Sequence, residues 1–305
     1  MQETELLEFK YMPKTFDEMI LTDEVRPKLK KALDELPNMV LYGPPGTGKG
    51  TFVDVLKRTK GLDILKINCS DETGIDVVRD RVKSFAQAGS MDGAMKIVFL
   101  NEADYLSLNA QAMLRDLMEK VQLRTRFIFC CNYVHKMMDE LDSRCQFIEL
   151  SNPPAIQVVK RAWSVLDAEG IKYDKKVVVD LVKTIWKRRP DIRKVMVVLR
   201  ENIIDGELQS NIKMSASDGV YQEVLEKMIA GDPEAVRVVL KSHQIDYTGL
   251  YKHIYTALMV EDTVFKNDGK AILLVGNHDY RDNIVSNREI NFMAMYFEML
   301  STGVI

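Results

Sequence analysis

The segment that decides the fold is Met39-Val40-Leu41-Tyr42-Gly43-Pro44-Pro45-Gly46-Thr47-Gly48-Lys49. It begins as an apolar run typical of a buried strand, passes through a Gly/Pro loop and continues into a helical pattern. Such a loop turns backbone N–H groups towards phosphate oxygens at a helix N-terminus, and Lys49 adds positive charge for the β- and γ-phosphates. We therefore predict a nucleotide-phosphate site formed by Gly43, Pro44, Pro45, Gly46, Thr47, Gly48, Lys49, Gly50 and Thr51.

The residue after Lys49 departs from the usual pattern of these loops. A Ser or Thr hydroxyl normally follows the lysine and binds Mg²⁺, but this chain has Gly50 there and a hydroxyl one position later, on Thr51. We expect ATP and Mg²⁺ as cofactors, with the direct metal ligand displaced and Thr51 as a candidate ligand.

Four more apolar runs in the first half of the chain are followed by polar turns and separated by helical patterns. The runs are Ile64–Ile67, Ile97–Leu100, Phe127–Cys131 and Phe147–Leu150. This alternation predicts an α/β fold with a mostly parallel sheet and helices on both faces. Ligands of such sheets bind beyond the carboxyl ends of the strands.

The apolar run Ile97–Leu100 is followed by a polar, acidic segment, Asn101-Glu102-Ala103-Asp104. P-loop ATPases usually place Asp-Glu here, and the Asp helps to hold Mg²⁺. Asn101 carries no charge, so we expect a weaker metal site with Thr51 and Asn101 as its candidate ligands. Glu102 stands where a general base would orient and activate water. The site is predicted either to hydrolyse slowly or mainly to bind nucleotide.

Two boundaries divide the remainder of the chain. Asn152-Pro153-Pro154 stops both strand and helix, and the pattern beyond it is all helical. Helical segments are predicted at Val158–Ala168, Lys175–Lys187, Pro190–Ile204 and, with many Met and aromatic residues, Asn287–Leu300. The polar stretch Gly206–Gly219 marks the second boundary.

Composition narrows the class of protein. The chain has 305 residues, 46% hydrophobic and 29% charged, with a formal net charge of −3 that predicts no global attraction to nucleic acid. No run approaches 18 apolar residues and the N-terminus is acidic and polar, so neither a membrane span nor a signal peptide is expected. The four cysteines lack metal-ligand pairing and are predicted to be reduced core thiols of a cytoplasmic protein.

Several further motifs occur in order along residues 8–200. They are Glu8–Glu18, Ile67–Asp71, Gly74–Arg79, Cys130–Tyr133, Ser143-Arg144-Cys145 and Pro190–Arg193. Together with the phosphate loop they resemble the AAA+ ATPases, and more narrowly the subunits of DNA sliding-clamp loaders related to the replication factor C small subunits. The short C-terminal region favours the large, repeated subunit of tailed phages within that family.

The resemblance implies a role for each matching residue. Asn132 matches the sensor 1 position near the γ-phosphate, Arg193 matches sensor 2, and Arg144 matches an arginine finger that reaches a neighbouring subunit's nucleotide. It also implies an AAA+ P-loop α/β domain over residues 1–150, a helical lid over residues 151–215 and an all-helical collar for oligomerisation over residues 216–305. The implied partners are other clamp-loader subunits in a hetero-pentamer, a sliding clamp and primer–template DNA, without a membrane. The implied location is the cytoplasm of an infected bacterium.

Two residue pairs with helical spacing are also candidates. In the predicted helix Ile75–Ala88, Arg79 and Lys83 share one face, and the resemblance implies that they follow the DNA backbone. A solvated helix face is the alternative. Gln111 and Arg115 match positions that couple subunits across the ATPase interface in phage clamp loaders, with an ordinary surface pair as the alternative.

Other functions are compatible with parts of the sequence. Gly48-Lys49-Gly50-Thr51 also occurs in nucleotide kinases, although a kinase leaves Asn101–Asp104 and Ser143–Cys145 unexplained. A subunit that binds ATP while its neighbours hydrolyse it would account for Gly50 and Asn101. Gly276-Asn277-His278-Asp279 imitates part of a metallophosphoesterase, but we predict a turn between helices there and no metal.

Overall fold

The structure is a computed structural model, and it describes residues 6–71, 75–88, 95–188, 190–210, 216–260 and 264–305. The chain divides into two compact units. The first comprises Met1–Glu169 with Pro190–Val197, and the second comprises Gly170–Arg189 with Val198–Ile305. The three-domain division expected from the sequence stays a prediction.

The elements alternate through the first half of the chain. They are α1 (Leu7–Lys10), α2 (Val25–Glu35), β1 (Met39–Tyr42), α3 (Lys49–Lys60), β2 (Asp63–Asn68), α4 (Ile75–Gln87), β3 (Lys96–Asn101), α5 (Leu108–Val121), β4 (Thr125–Cys131), β5 (Gln146–Glu149) and α6 (Ala155–Ala168). The later part is mainly helical. It contains α7 (Lys175–Arg188), α8 (Ile192–Glu201), β6 (Ile203–Ile204), β7 (Glu207–Leu208), α9 (Ala216–Ile229), α10 (Pro233–Ser242), α11 (Tyr247–Val260), α12 (Asp268–Asp282) and α13 (Arg288–Ser301).

The five strands of the first unit form one sheet in the order β2-β3-β4-β1-β5, and every pair in it is parallel. The predicted parallel sheet is therefore confirmed. Strand β4 lies between β1, which leads into the phosphate loop, and β3, which ends at the acidic residues. Asn132, the polar residue after β4, consequently lies between the phosphate loop and the acidic residues at the end of β3.

Successive residues of each central strand serve opposite faces of the sheet. Leu41 and Phe99 pack with α2 and α3 in one apolar cluster. Their chain neighbours Val40 and Val98 pack on the other face with residues of α4 and α5. Helices on both faces explain why these strands are apolar runs without polar alternation.

The second unit contains a short hairpin that the sequence pattern does not reveal. The pattern predicts a helix from Pro190 to Ile204, but α8 ends at Glu201 and β6 pairs with β7 in antiparallel register. Asp205 and Gly206 form the two-residue turn, with φ of 51° and 77°. Asp-Gly suits such a turn because both positions need positive φ.

Helices α9–α13 share an apolar core rich in aromatic side chains, among them Tyr251, Phe292 and Tyr296. Residues 276–279 lie inside α12, so the predicted turn between helices is wrong. His278 is buried, and its Nδ1 lies 2.8 Å from the Asn291 side-chain oxygen. Within the described residues no group of three or more His, Cys, Asp or Glu side chains could hold a metal.

The four cysteines are all buried free thiols, as predicted. Burial raises the pKa of Cys131 to about 12 and that of Cys145 to about 12, because a thiolate is disfavoured away from water. Across the described helices, none has the length and apolar character that crossing a membrane requires.

Candidate functional site: a nucleotide cavity at the strand ends

A cavity of about 410 Å³ opens at the carboxyl ends of the strands in the first unit. Its volume is within the usual range for small-molecule sites. Residues 45–51 of the phosphate loop line it, together with Asn101, Glu102, Asn132 and Arg193. The structure thus brings together residues that lie far apart in the sequence and were predicted separately.

Lys49 occupies the centre of the loop. Its Nζ donates to the carbonyl oxygens of Gly43 and Pro44, at 2.7 Å and 2.8 Å, and to the side-chain oxygen of Asn132 at 3.0 Å. Burial lowers the pKa of Lys49, and nearby negative groups, including Asp104, act in the opposite direction. The ammonium group is thereby held at the mouth of the loop, where an entering phosphate could replace the carbonyls as its partner.

At two positions of the loop, steric crowding requires glycine. A Cβ on Gly43 would lie 2.3 Å from the carbonyl oxygen of Leu150, and one on Gly46 would lie 2.4 Å from a carboxylate oxygen of Asp191. Both glycines also have positive φ, of 134° and 80°. The loop can therefore run this close to its neighbours only without side chains at these positions.

Glu102 lies at the end of β3 in an unusual backbone conformation. Its φ of 55° and ψ of 43° are left-handed, which costs a non-glycine residue about 1–2 kcal/mol. Its carbonyl oxygen accepts from the backbone N–H of Tyr105 at 3.0 Å in the short 3₁₀ turn that follows. This conformation accompanies a half-buried side chain that lines the cavity, as a water-activating carboxylate requires.

The metal corner of the cavity, formed by Gly50, Thr51 and Asn101, lacks the usual negative charge. Thr51 and Asn101 both line the cavity, and their role as metal ligands stays a prediction. A Cβ added to Gly50 would meet nothing within 4 Å, so the space of the usual hydroxyl is open. The corner can offer Mg²⁺ a hydroxyl and an amide oxygen, and the adjacent Glu102 adds a carboxylate that catalysis needs for water. The cavity fits a nucleotide well and a firmly held metal ion less well.

Arg144 lies apart from the cavity. Its Nε donates to Glu119 Oε1 at 2.9 Å, and its Nη1 donates to the Ser143 hydroxyl at 2.9 Å. The Arg144 side chain is about one-third exposed. It is not among the side chains that line its own chain's nucleotide cavity.

Gln111, which the sequence interpretation assigns together with Arg115 to the coupling of subunits across the ATPase interface, is not a surface residue. It is completely buried. Its amide donates to the carbonyls of Leu106 and Lys136, and its oxygen accepts from the backbone N–H of Met138 at 2.8 Å. Gln111 therefore braces the loops after β3 and β4 and cannot itself touch another subunit, whereas Arg115 is partly exposed and pairs with its neighbour Asp116.

Helix α4 has the predicted amphipathic form. Val78 and Val82 are buried in the core, while Arg79 and Lys83 are exposed. The exposed pair is consistent both with a DNA-facing surface and with a solvated face.

The sequence interpretation missed several residues that line the cavity. Lys66 of β2 and Asp54 of α3 form an ion pair there. Arg161 of α6 also lines the cavity and donates to the backbone oxygen of Tyr11 at 2.9 Å. Strand alternation places Lys66 on the same face as Asn68, whose register partner is Asn101. This period-two pattern was the signal that could have found Lys66.

Comparison with known proteins agrees with this geometry. The AAA model, described as the ATPase family associated with various cellular activities, matches residues 39–152. A RuvB variant from Thermotoga maritima superposes with a TM-score of 0.57 at 17% identity, over 83% of this chain and 93% of that one. At that identity the likeness shows the fold alone.

Sequence relatives extend along nearly the whole chain. The replication factor C small subunit of Archaeoglobus fulgidus is 31% identical over 99% of this chain and 99% of its own length. The replication factor C small subunit 1 of Pyrobaculum islandicum is 36% identical over 96% of this chain and 94% of its own length. Human replication factor C subunit 4 is 40% identical over 63% of this chain and 56% of its own length. These relatives are archaeal and human, so a phage origin stays a prediction.

The nucleotide-kinase alternative is incompatible with relatives that match from end to end. The AAA model covers the phosphate loop, the acidic strand end and the strands from β1 to β5, and the relatives align with the helical C-terminal part as well. The chain belongs to the replication factor C small subunits, a family of AAA+ clamp-loader ATPases.

Proposed function

We propose that this chain is an ATP-hydrolysing subunit that opens a sliding clamp and loads it onto primer–template DNA. The observation that carries the proposal is the convergence of Lys49, Asn132 and Glu102 on one cavity. A cation, a polar amide and a carboxylate at the end of a phosphate loop are the groups that nucleotide hydrolysis uses.

Each of these side chains has a separate task. Lys49 exchanges its carbonyl partners for phosphate oxygens when ATP enters, and Asn132, already bonded to Lys49 at 3.0 Å, lies ready to contact the γ-phosphate. Glu102 orients and deprotonates the attacking water. Arg193, which lines the cavity from α8, contacts the phosphates. Bound Mg²⁺, held by Thr51 and Asn101, would neutralise part of the phosphate charge.

The site is completed by another subunit. Arg144 is partly exposed, and it is not among the residues that line its own cavity. A guanidinium in that position suits transfer to a neighbour's nucleotide, since its charge and planar fork can bridge phosphate oxygens. Arg115 is exposed enough to contact the neighbouring subunit. Gln111 would couple to that subunit indirectly, through the loops after β3 and β4 that Gln111 braces.

The remaining partners follow from the same proposal. Several copies assemble through the collar, residues 216–305, into a hetero-pentamer in the cytoplasm. Arg79 and Lys83 of each copy then face the DNA backbone. With a net charge of −3, one copy alone should bind DNA poorly, whereas a ring of such helices can follow phosphates without base readout.

A second candidate function is a subunit that binds ATP but hydrolyses it weakly. The observation that favours it is the metal corner, where Gly50 leaves open space and Asn101 replaces a carboxylate. In that case ATP would organise the assembly, and turnover would occur at neighbouring subunits.

A steady-state ATPase assay distinguishes the two functions. The complete assembly, with its clamp and primer–template DNA, should hydrolyse ATP faster than the isolated chain. Glu102→Gln should keep ATP affinity but lower that stimulated rate by about 10²-fold or more, because the general base is removed. An unchanged rate in the Glu102→Gln assembly would assign hydrolysis to other subunits.

A further inference from the structure

An ion pair adjoins the metal corner of the nucleotide cavity. Lys66 Nζ contacts Asp54 Oδ1, and both side chains line the cavity with Gly50, Thr51 and Asn101. The side chain of Lys66 is 50% exposed and that of Asp54 is 32% exposed. Ion pairs this open to water contribute little stability. Another negatively charged group can therefore readily replace Asp54 as the partner of Lys66.

The strand register explains why Lys66 points to this corner. Asn68 of β2 is the register partner of Asn101, and Lys66 lies two residues earlier on the same strand. Side chains two apart share a face, so Lys66 lies on the same side of the sheet as Asn101, roughly 7 Å back along the strand. Asp54 approaches from α3, which covers that face.

The charge at this corner differs from that of a usual P-loop ATPase. Those enzymes place a Ser or Thr hydroxyl and an Asp there, and both hold Mg²⁺ against the phosphates. Here the corresponding residues are Gly50 and Asn101, which add no negative charge, and the Lys66–Asp54 pair adds one positive and one negative charge. Such a corner attracts a metal ion weakly, and Lys66 can attract phosphate directly once it separates from Asp54.

We propose that Lys66 is a further cation of the phosphate site, in addition to Lys49 and Arg193. When ATP binds, Lys66 leaves Asp54 for the phosphates and supplies charge otherwise provided by a firmly held magnesium ion. The inference rests on the proposed function, because it assumes that ATP occupies this cavity. Lys66 is a binding residue in this proposal, and Asp54 is its partner in the nucleotide-free state.

The other cations that line the cavity have different positions. Lys49 is held by Gly43, Pro44 and Asn132 at the phosphate loop. Arg161 donates to the backbone of the N-terminal segment, and Arg193 approaches from α8. Among the cations described along the cavity wall, Lys66 is the one that shares a strand face with Asn101.

The test is a nucleotide titration in excess EDTA and again in excess Mg²⁺, with Lys66→Met and Lys66→Arg. Lys60→Met is the matched control, since Lys60 also lies on the first unit but pairs with Asp34 and is not among the residues along the cavity wall. Lys66→Met should reduce ATP affinity about tenfold in EDTA, the equivalent of one charged hydrogen bond. The reduction should be smaller in Mg²⁺ and smaller for ADP, and Lys66→Arg should restore most of the affinity.

Asp54→Asn gives an opposite expectation. It frees Lys66 and should tighten ATP binding in EDTA. If Asp54→Asn instead weakened ATP binding, and did so in Mg²⁺ but not in EDTA, Asp54 would be a metal ligand and the proposal would be overturned. The proposal would also be overturned if Lys66→Met bound ATP as tightly as wild type in EDTA. If Lys66→Met only lowered the thermal unfolding midpoint without nucleotide, Lys66 would be a structural clamp, and the proposal would fall. Wild type that bound ATP in neither buffer would instead refute the proposed ATP function.

Discussion

Asn101 and Gly50 are the two residues at which this phosphate site departs most from other P-loop ATPases. Both line the cavity proposed to hold the nucleotide. Asn101 ends β3 next to Glu102, whose left-handed backbone presents its side chain to the same space. We propose that Glu102 retains the general-base role, whereas Gly50 and Asn101, at the two positions that usually hold a metal ion, carry no charge.

Asn101→Asp should tighten Mg²⁺ binding, because it restores a carboxylate next to the phosphates. We expect the magnesium concentration for half-maximal ATP binding to fall by about tenfold, the equivalent of about 1.4 kcal/mol. A magnesium titration of nucleotide binding measures this. An unchanged requirement, together with disappearance of the magnesium effect in Thr51→Ala, would make Thr51 the principal ligand.

The loops after β3 and β4 are joined by one side chain of α5. Gln111 bonds the backbone of both loops, at Leu106, Lys136 and Met138. These loops continue directly from Glu102 and Asn132. The relative position of the carboxylate and the amide in the site therefore depends on a residue outside the cavity.

Gln111→Ala should destabilise the chain by about 2–4 kcal/mol, since it removes three hydrogen bonds made by a completely buried side chain to the backbone of Leu106, Lys136 and Met138. Urea unfolding of the isolated chain is the measurement. Arg115→Ala on the same helix is the control, and it should change stability by no more than about 0.5 kcal/mol, because its partner is the exposed, adjacent Asp116. Equal effects of both substitutions would contradict the bracing role.

Helix α4 provides a second test at the scale of the element. Arg79→Ala and Lys83→Ala should each weaken DNA binding by the assembly for all sequences alike, because phosphate contacts carry no base information. Removal of one phosphate contact should flatten the slope of log K against log salt by roughly 0.9 for duplex DNA. Arg81→Ala, two residues from each, is the control on another face. A wild-type slope in the double variant would assign this face to solvent.

Elements differ in how well the sequence predicts them. The five strands were predictable because a parallel sheet covered on both faces produces continuous apolar runs. The hairpin Ile203–Leu208 was missed, since strands of two residues have no periodicity, although Asp205-Gly206 marked its turn. The burial of Gln111 could have been predicted from its place three residues before Leu114 on the apolar face of α5. The pairing of Lys66 with Asp54 depends on packing between α3 and the sheet, which no local pattern contains.

At the scale of the whole molecule, the first unit contains a cavity lined by Lys49, Glu102 and the two residues proposed as sensors, Asn132 and Arg193. The arginine predicted to complete it, Arg144, is bonded to Glu119 instead and is not among the residues that line that cavity. We therefore expect full activity in an assembly and not in the isolated chain. Residues 216–305 of the second unit, whose helices share an apolar core, are the part proposed to hold that assembly together.

The most direct test of an arginine finger acting between subunits compares Arg144→Ala in the isolated chain and in the reconstituted assembly with clamp and primer–template DNA. ATP affinity of the isolated variant should stay within about twofold of wild type, because a guanidinium outside the cavity adds nothing to binding. Stimulated ATPase of the assembly should fall by up to about 10³-fold, as for other arginine fingers. Lys120→Ala, at an exposed position beside Glu119, should leave both unchanged. An equal decrease in the isolated chain and the assembly would place Arg144 in its own chain's site and contradict its proposed role.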